Sequence, residues 1–315
     1  MRKSFDDLTI ADDFMFCKVM QDEETCKTFL EMVLAGKIGK IAYLSSQNAI
    51  AGVADISGGT IKANHAAEGT FSSPPEDVGG GGICIEKGTV NFTGGTIKDN
   101  FLDGAKKNCG AGVFVEGGGT FNMTGGTIEG CKPDPDAYNP ESSKGGGIYS
   151  KYQLTVSGYA QIKNNAAPDG KGGGIIIPHN GRFYFTGGTV SGNTAKQGRG
   201  IYISTTAAGI DPMEMSGSAT VTEGNDVFLD NDNWSSTHII VTKALTNTPA
   251  ATLTMKNDTN GYAPDRVVVE GTNGPEGYKL KTADIEKFPI TPQTSQNWTT
   301  ELDTVNNKLK LKTTP

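Results

Sequence analysis

The feature that most constrains this chain is a repeat of the form Ser/Thr-Gly-Gly-Thr-Ile, or a close variant of it. Its copies begin 29 to 36 residues apart, at Ser57, Thr93, Thr124, Ser157, Thr186 and Ser216. A repeat of this size indicates a solenoid, in which each unit buries the apolar face of its neighbour. The sequence therefore predicts a stack of similar units.

Within each unit the side chains alternate with a period of two. In Ile201-Tyr202-Ile203 the first and third residues share a face, as they do in a β-strand. Glycine pairs interrupt every run, and each glycine would destabilise a helix by about 1 kcal/mol. We predict an all-β fold: a right-handed parallel β-helix of about six coils over residues 49–225, with three short strands in each coil.

Equivalent positions in successive coils should stack as ladders along the solenoid axis. The predicted inward ladders comprise Ile83, Val113, Ile148, Ile175 and Ile201; Ile85, Val115, Ile177 and Ile203; Phe92, Met123, Val156, Phe185 and Met215; and Ile61, Ile97, Ile128, Ile162, Val190 and Val221. An asparagine follows the third strand in four coils, at Asn64, Asn100, Asn165 and Asn193. We expect these asparagines to adopt left-handed turn geometry and to bond to neighbouring backbone.

A second ladder should point outward from the first strand of each coil. Its members are Cys84, Phe114, Tyr149, Ile176 and Tyr202. An apolar, partly aromatic surface stripe can stack on sugars or meet a partner protein. It can equally be covered by loops or stabilised by mutual stacking. Phe114, Tyr149, Ile176 and Tyr202 are therefore a candidate binding ladder.

The connections after the third strand vary in length and should emerge along one edge, at 65–78, 101–109, 132–144, 166–171 and 194–197. Aligned loops of a solenoid are where ligands usually bind, so a glycan or a surface protein is the expected partner. Asp134, Asp136 and Glu141 share one of these loops and form a candidate loop site. Their proline-interrupted spacing matches no calcium-binding loop, and a solvated acidic loop is the alternative interpretation.

The glycine-rich runs, such as Gly-Gly-Gly-Ile-Tyr at 145–149 and Thr-Gly-Gly-Thr-Val-Ser-Gly-Asn-Thr-Ala at 186–195, resemble the right-handed β-helix repeats of bacterial surface and secreted proteins. The resemblance covers about residues 57–225. It implies an exported, non-enzymatic structural or adhesin-like role at the cell surface or outside the cell.

Residues 1–48 differ in kind and predict two short amphipathic helices that could cap the solenoid. The segments 5–9, 12–16, 19–22 and 38–44 resemble the N-terminus of PD-(D/E)XK nuclease family transposases. In that family the metal-binding acidic residues follow this region, where the present chain begins its glycine repeats. Asp55 has no Glu-x-Gln or Glu-x-Lys strand to complete a metal site, so we expect an inactive remnant.

Composition narrows the function further. The net charge of −7 argues against nucleic acid as a partner, and no run of eighteen apolar residues predicts a membrane span. The N-terminus shows no signal-peptide pattern, which would place the chain as given in the cytoplasm, in conflict with the exported role. The spacing of the five cysteines matches no metal site. Cys109 and Cys131 could form a disulfide, and buried or free thiols are the alternative.

Parallel β-helices also include polysaccharide lyases and hydrolases, which use clustered carboxylates on an outward strand face. No two carboxylates face each other at coil spacing here, so we predict no catalytic residue, no metal site and no cofactor. A carbohydrate-active enzyme is the first alternative function and an inactive nuclease fragment the second. From Asp226 to Pro315 the repeat is lost but strands continue, which predicts irregular final coils and a C-terminal cap.

Overall fold

The structure, a computed structural model, describes residues 52–67, 78–103, 108–133, 144–204, 212–231, 237–258, 260–293 and 296–314. All of them belong to one compact unit, Leu44–Pro315. The described part is an all-β parallel solenoid, and its only helix is a short 3-10 turn at Thr282–Asp284. The predicted two-helix segment, residues 1–48, lies outside the described residues.

Three long sheets form the sides of the solenoid. Sheet 1 stacks the first strand of each coil: Ile83–Ile85, Val113–Val115, Ile148–Ser150, Ile175–Ile177, Ile201–Ile203, Val227–Leu229 and Leu253–Met255. Sheet 3 stacks the third strand: Thr60–Lys62, Thr96–Lys98, Thr127–Glu129, Gln161–Lys163, Thr189–Ser191 and Thr220–Val221. Every strand pair in both sheets is parallel and in register.

Sheet 2 lies between them along the chain and runs furthest. Its parallel strands are Val53–Ile56, Gly88–Phe92, Gly119–Met123, Gln153–Val156, Arg182–Phe185, Met213–Gly217, Ile239–Leu245 and Val267–Gly271. The sheet then changes direction, because Lys308–Thr314 pairs antiparallel with Val267–Gly271 and with Asn297–Asp303. Parallel pairing thus continues well past residue 225 and gives way to an antiparallel pair near the C-terminus.

The predicted variable connections also form strands, which we call the fourth side. Three short strands pair as Lys132–Pro133, Phe101–Asp103 and His65–Ala67. Two further pairs are Val78–Gly79 with Asn108–Cys109, and Ala166–Lys171 with Thr194–Gln197. Bridges through Lys144 connect Cys109 to Lys171, so the second group runs as one ladder. Parts of the predicted connections are therefore short parallel strands that pair from coil to coil.

The core confirms the predicted inward ladders. Ile97 pairs with Ile61 on one side and with Ile128 on the other, and the column continues to Ile162 and Val190. The four residues from Ile97 to Val190 are fully buried. Burying an isoleucine side chain contributes about 1.5–3 kcal/mol, so identical side chains stacked coil over coil supply the main stabilisation.

The asparagine prediction is correct in its bonding and wrong in its backbone geometry. Asn165 donates from Nδ2 to the Ile128 carbonyl at 3.0 Å, and its Oδ1 accepts from the Cys131 N–H at 3.0 Å. The left-handed residue is the one before the asparagine, as at Asp99 and Asn164. Asn100, Asn165 and Asn193 are buried, because their side chains turn inward to bond with the adjacent coils, whereas Asn64 in the first coil is exposed.

Candidate functional site

The predicted aromatic ladder exists, but it is buried. Phe114, Tyr149, Ile176 and Tyr202 are each only 3–4% exposed. They form a second apolar cluster with Cys109, Phe228 and the partly buried Cys84. The Phe114 and Tyr149 rings stack with centroids 5.6 Å apart, and Tyr202 stacks on Phe228 at 5.2 Å. A ligand could reach this ladder only if the elements over it moved aside.

The fourth side and the glycines next to it cover the ladder. A Cβ at Gly79 would lie 2.7 Å from the Phe114 ring, and one at Gly172 would lie 2.2 Å from Cγ1 of Ile176. Only glycine lets the backbone approach so closely. The outward side chain thus accounts for the first glycine of an entry, whereas the following glycines are required by the backbone of the next coil, as at Gly173 and Gly174.

A hydrogen-bonded chain of polar groups ends the ladder. Lys171 donates from Nζ to the Tyr202 hydroxyl at 2.7 Å and lies over the Tyr202 ring at 4.6 Å. The Tyr202 hydroxyl donates in turn to Oδ2 of Asp230. Burial raises the pKa of Tyr202, with the Asp230 carboxylate as a further cause, and burial lowers the pKa of Lys171. The tyrosine therefore stays a neutral donor between a cation and an anion.

The fourth side stops two coils before sheet 1 does. Within the described residues, its last strand is Thr194–Gln197, and sheet 1 continues with Val227–Leu229 and Leu253–Met255. Beyond this strand the outward column changes character: Phe228 pairs with Thr254, and the Leu253–Ile290 bridge places Thr291 after it. The apolar ladder becomes a threonine ladder where its cover ends.

A cleft of about 370 Å³ opens at this point. Its wall on the side of the solenoid is formed by Phe228 and three threonines, and its rim by the end of the fourth side. The lining residues are Lys196, Gln197, Gly198, Arg199, Glu223, Gly224, Asn225, Asp226, Phe228, Thr252, Thr254 and Thr291.

Asp226 is the central polar group of this cleft. Its Oδ1 accepts from the Arg199 backbone N–H at 2.7 Å, and the Gly200 N–H and the Thr254 hydroxyl also lie within hydrogen-bonding reach of the carboxylate. The Thr254 hydroxyl lies 2.7 Å from that of Thr291. Burial raises the pKa of Asp226 above its ordinary value, against the opposing effect of these donors.

A second concavity, of about 350 Å³, lies on the outward face of sheet 2. It is lined by Tyr152, Gln153, Asn180 and Arg182, and the Tyr152 ring is 49% exposed. This surface combines one exposed ring with amide and guanidinium donors. Its lining contains no carboxylate and fewer residues than the lining of the cleft at Asp226.

Of the other predicted site residues, Asp55 alone lies within the described part of the chain. The loop candidates Asp134, Asp136 and Glu141 lie outside the described residues, as does the segment that resembles a nuclease. Asp55 is exposed on the first strand of sheet 2 and accepts from Nδ2 of Asn91 at 2.8 Å. Asn91 accepts from Nδ2 of Asn122 at 2.9 Å, so Asp55 ends a surface amide ladder.

Cys109 and Cys131 are not joined by a disulfide, and Cys84 and Cys131 are free thiols. In the described part of the chain, no group of three or more His, Cys, Asp and Glu side chains is placed to hold a metal ion. The same part contains no helix that is long and apolar enough to cross a membrane.

Sequence reasoning missed the cleft, although a signal for it is present. Each earlier coil enters sheet 1 through small residues, as in Gly172-Gly173-Gly174. The next two entries are Gly198-Arg199-Gly200 and Gly224-Asn225-Asp226. Charged residues at positions held by glycine in the covered coils indicate that the cover is absent there. No protein-family model, curated protein or solved structure matches this chain.

Proposed function

We propose that this chain is a non-enzymatic, right-handed β-solenoid of bacterial surface-protein type with a structural and adhesive role. The observation that carries the proposal is the polar cleft at the end of the fourth side. Phe228 and Thr254 project from two strands of sheet 1 that pair in register, whereas Arg199, Asp226 and Thr291 lie in the adjoining connections. Side chains on paired strands keep their mutual distances better than side chains on loops. The solenoid therefore acts as a scaffold that presents a preformed binding surface.

The hydrogen bond of Asp226 supports a positioning role rather than catalysis. Oδ1 of its carboxylate accepts from the Arg199 backbone N–H of the neighbouring coil at 2.7 Å. This bond fixes the carboxylate at the cleft. The group orients the donors and acceptors of the cleft.

The cell surface or the extracellular space is the proposed location, and a glycan or a surface protein the proposed partner. The support is the likeness of the glycine-rich repeats to those of exported β-helix proteins, together with the position of the cleft beside the strand that ends the fourth side.

One observation favours a carbohydrate-active enzyme as a second candidate. Burial raises the pKa of Asp226, and a carboxyl group with a raised pKa is the usual general acid of glycoside cleavage. Glu223 lines the same cleft and is a second carboxylate. Turnover that depends on Asp226 would favour this candidate over the adhesive one.

Co-sedimentation separates the two functions. The full chain is incubated with insoluble polysaccharides and with intact bacterial and animal cells, and retention in the pellet is measured beside release of reducing ends and unsaturated sugars. We expect retention without release, and none with heat-denatured chain. Release that Asp226→Asn abolishes would establish the enzyme, whereas no retention on any material would contradict the adhesive role.

A further inference from the structure

We infer that the cleft lined by Arg199, Asp226, Thr254 and Thr291 binds a short, uncharged saccharide. This inference rests on the proposed adhesive function and gives it a ligand class. It is carried by the charge balance of the lining, by its threonine hydroxyl groups and by the size of the space.

The formal charges of the lining side chains sum to zero. Lys196 and Arg199 stand on the fourth-side rim, while Glu223 and Asp226 stand on the next coil. A polyanion would meet the two carboxylates, and a polycation would meet the two basic groups; either approach costs electrostatic energy. A neutral ligand avoids both penalties, although the whole chain carries a net charge of −7.

The Thr254 and Thr291 hydroxyls form one hydrogen bond across 2.7 Å, in which either oxygen can be the donor. The hydroxyl that accepts in this bond can still donate to a ligand, and the one that donates can still accept from it. The backbone of Thr291 is held in place by the Tyr262 hydroxyl, which donates to its carbonyl at 2.9 Å. Hydrogen bonds in such chains strengthen one another.

The ligand that fits this arrangement carries its own hydroxyl donors. Sugar hydroxyls both donate and accept, as do those of Thr252, Thr254 and Thr291, so each can complete the chain without leaving a buried group unpaired. Phe228 adds only a small apolar contact to the cleft wall, because it is 4% exposed and stacks on Tyr202. The volume of about 370 Å³ lies at the small end of ligand pockets, which favours a short saccharide over a long chain.

Ligand-observed NMR and titration calorimetry on the full chain test the inference. The panel contains neutral oligosaccharides (malto-, cello-, manno- and N-acetylchito-oligosaccharides), acidic oligogalacturonates and cationic chitosan oligosaccharides. We expect a neutral member to bind with a Kd of about 1 mM or below and with little salt dependence.

Two substitutions locate the site, and a third serves as the control. Thr291→Val and Thr254→Val each remove one hydroxyl of the pair, so each should weaken binding about 3- to 10-fold, the value of one neutral hydrogen bond. Thr127→Val, on sheet 3 and outside the cleft, should leave binding unchanged. Unfolding curves of all three variants show whether the fold is retained.

Each contrary result has a separate meaning. Binding of charged members alone overturns the neutral-ligand inference. Neutral binding that Thr291→Val and Thr254→Val leave intact places the site elsewhere, and the adhesive proposal then stands without this cleft. If no member binds at about 10 mM, the inference of a saccharide ligand is wrong. The adhesive proposal is then tested separately by co-sedimentation with cells.

Discussion

The backbone N–H of Arg199 donates a hydrogen bond of 2.7 Å to Oδ1 of Asp226 in the following coil. The equivalent positions one coil earlier are Gly173 and Gly200. A Cβ at Gly173 would lie 2.4 Å from the Thr194 carbonyl oxygen, and one at Gly200 would lie 2.9 Å from the Asp226 carbonyl oxygen, so these positions have little room for side chains. The hydrogen bond between Arg199 and Asp226 therefore marks where the solenoid changes from a covered column to an open polar surface.

Replacing Ile128 by alanine should test the core ladder. Ile128 is fully buried between Ile97 and Ile162, and truncation of such a residue costs about 2–5 kcal/mol in the free energy of unfolding. Denaturant unfolding followed by circular dichroism measures the loss. Val305→Ala, at a side chain that is 90% exposed, is the control and should change the stability by less than about 0.5 kcal/mol. Equal effects of both substitutions would contradict the stacked core.

Gly172→Ala should test the cover over the ladder. Gly172 has a left-handed φ of +64°, and an added Cβ would lie 2.2 Å from Cγ1 of Ile176. The backbone strain costs about 1–2 kcal/mol and the overpacking about 1–3 kcal/mol. Gly117 has open space around it, so Gly117→Ala is the matched control and should be nearly neutral. A fully stable Gly172→Ala variant would show that the fourth side does not pack on Ile176.

Cys131→Asn should complete the asparagine ladder. Cys131 occupies the ladder position with a weak acceptor: Asn100 Nδ2 lies 3.9 Å from its Sγ, and Sγ lies 3.9 Å from the Ile97 carbonyl. In the next coil the asparagine bonds the corresponding carbonyl at 3.0 Å. Because an amide makes both bonds at normal length, we expect the variant to be more stable by about 1 kcal/mol. Thermal unfolding measures the difference, and Cys131→Ser, with a shorter side chain, should show no gain.

The same substitution should remove an alkaline sensitivity. Burial raises the pKa of the Cys131 thiol to about 11, whereas an unfolded cysteine titrates near pH 8.5. Between these values the unfolded chain releases the proton and the folded chain keeps it, so the free energy of unfolding falls as the pH rises. We expect this fall in the wild type to be smaller in Cys131→Asn, measured by urea unfolding from pH 8 to pH 11. If the wild type and Cys131→Asn lose stability identically with rising pH, burial does not keep the Cys131 thiol protonated in the folded chain.

Tyr202→Phe should test the polar chain at the end of the ladder. The substitution keeps the ring that stacks on Phe228 but removes the hydroxyl that joins Lys171 to Asp230. Hydrogen bonds to charged groups contribute about 1.5–3 kcal/mol, and we expect a loss of that size in the free energy of unfolding. Tyr159→Phe, at a side chain that is 91% exposed, provides the control. A loss that is no larger than the control's would show that the hydroxyl does not stabilise the fold.

The sequence by itself determined the repeat, the inward ladders and the parallel pairing. Ile97, Ile128 and Ile162 could be placed in one column because a strand alternates with a period of two and each coil repeats the same spacing. The aromatic column through Phe114 and Tyr149 was visible for the same reason.

Tertiary structure alone decided what covers that column and where the cover ends. The residues of 166–171 and 194–197 carry no strong strand pattern, and they pair only because stacked coils bring them side by side. Their pairing buries Tyr202, and its absence one coil later, within the described residues, leaves Asp226 and Thr254 facing a cleft. Periodicity reports which face of a strand a side chain occupies, but the exposure of that face depends on segments distant in sequence.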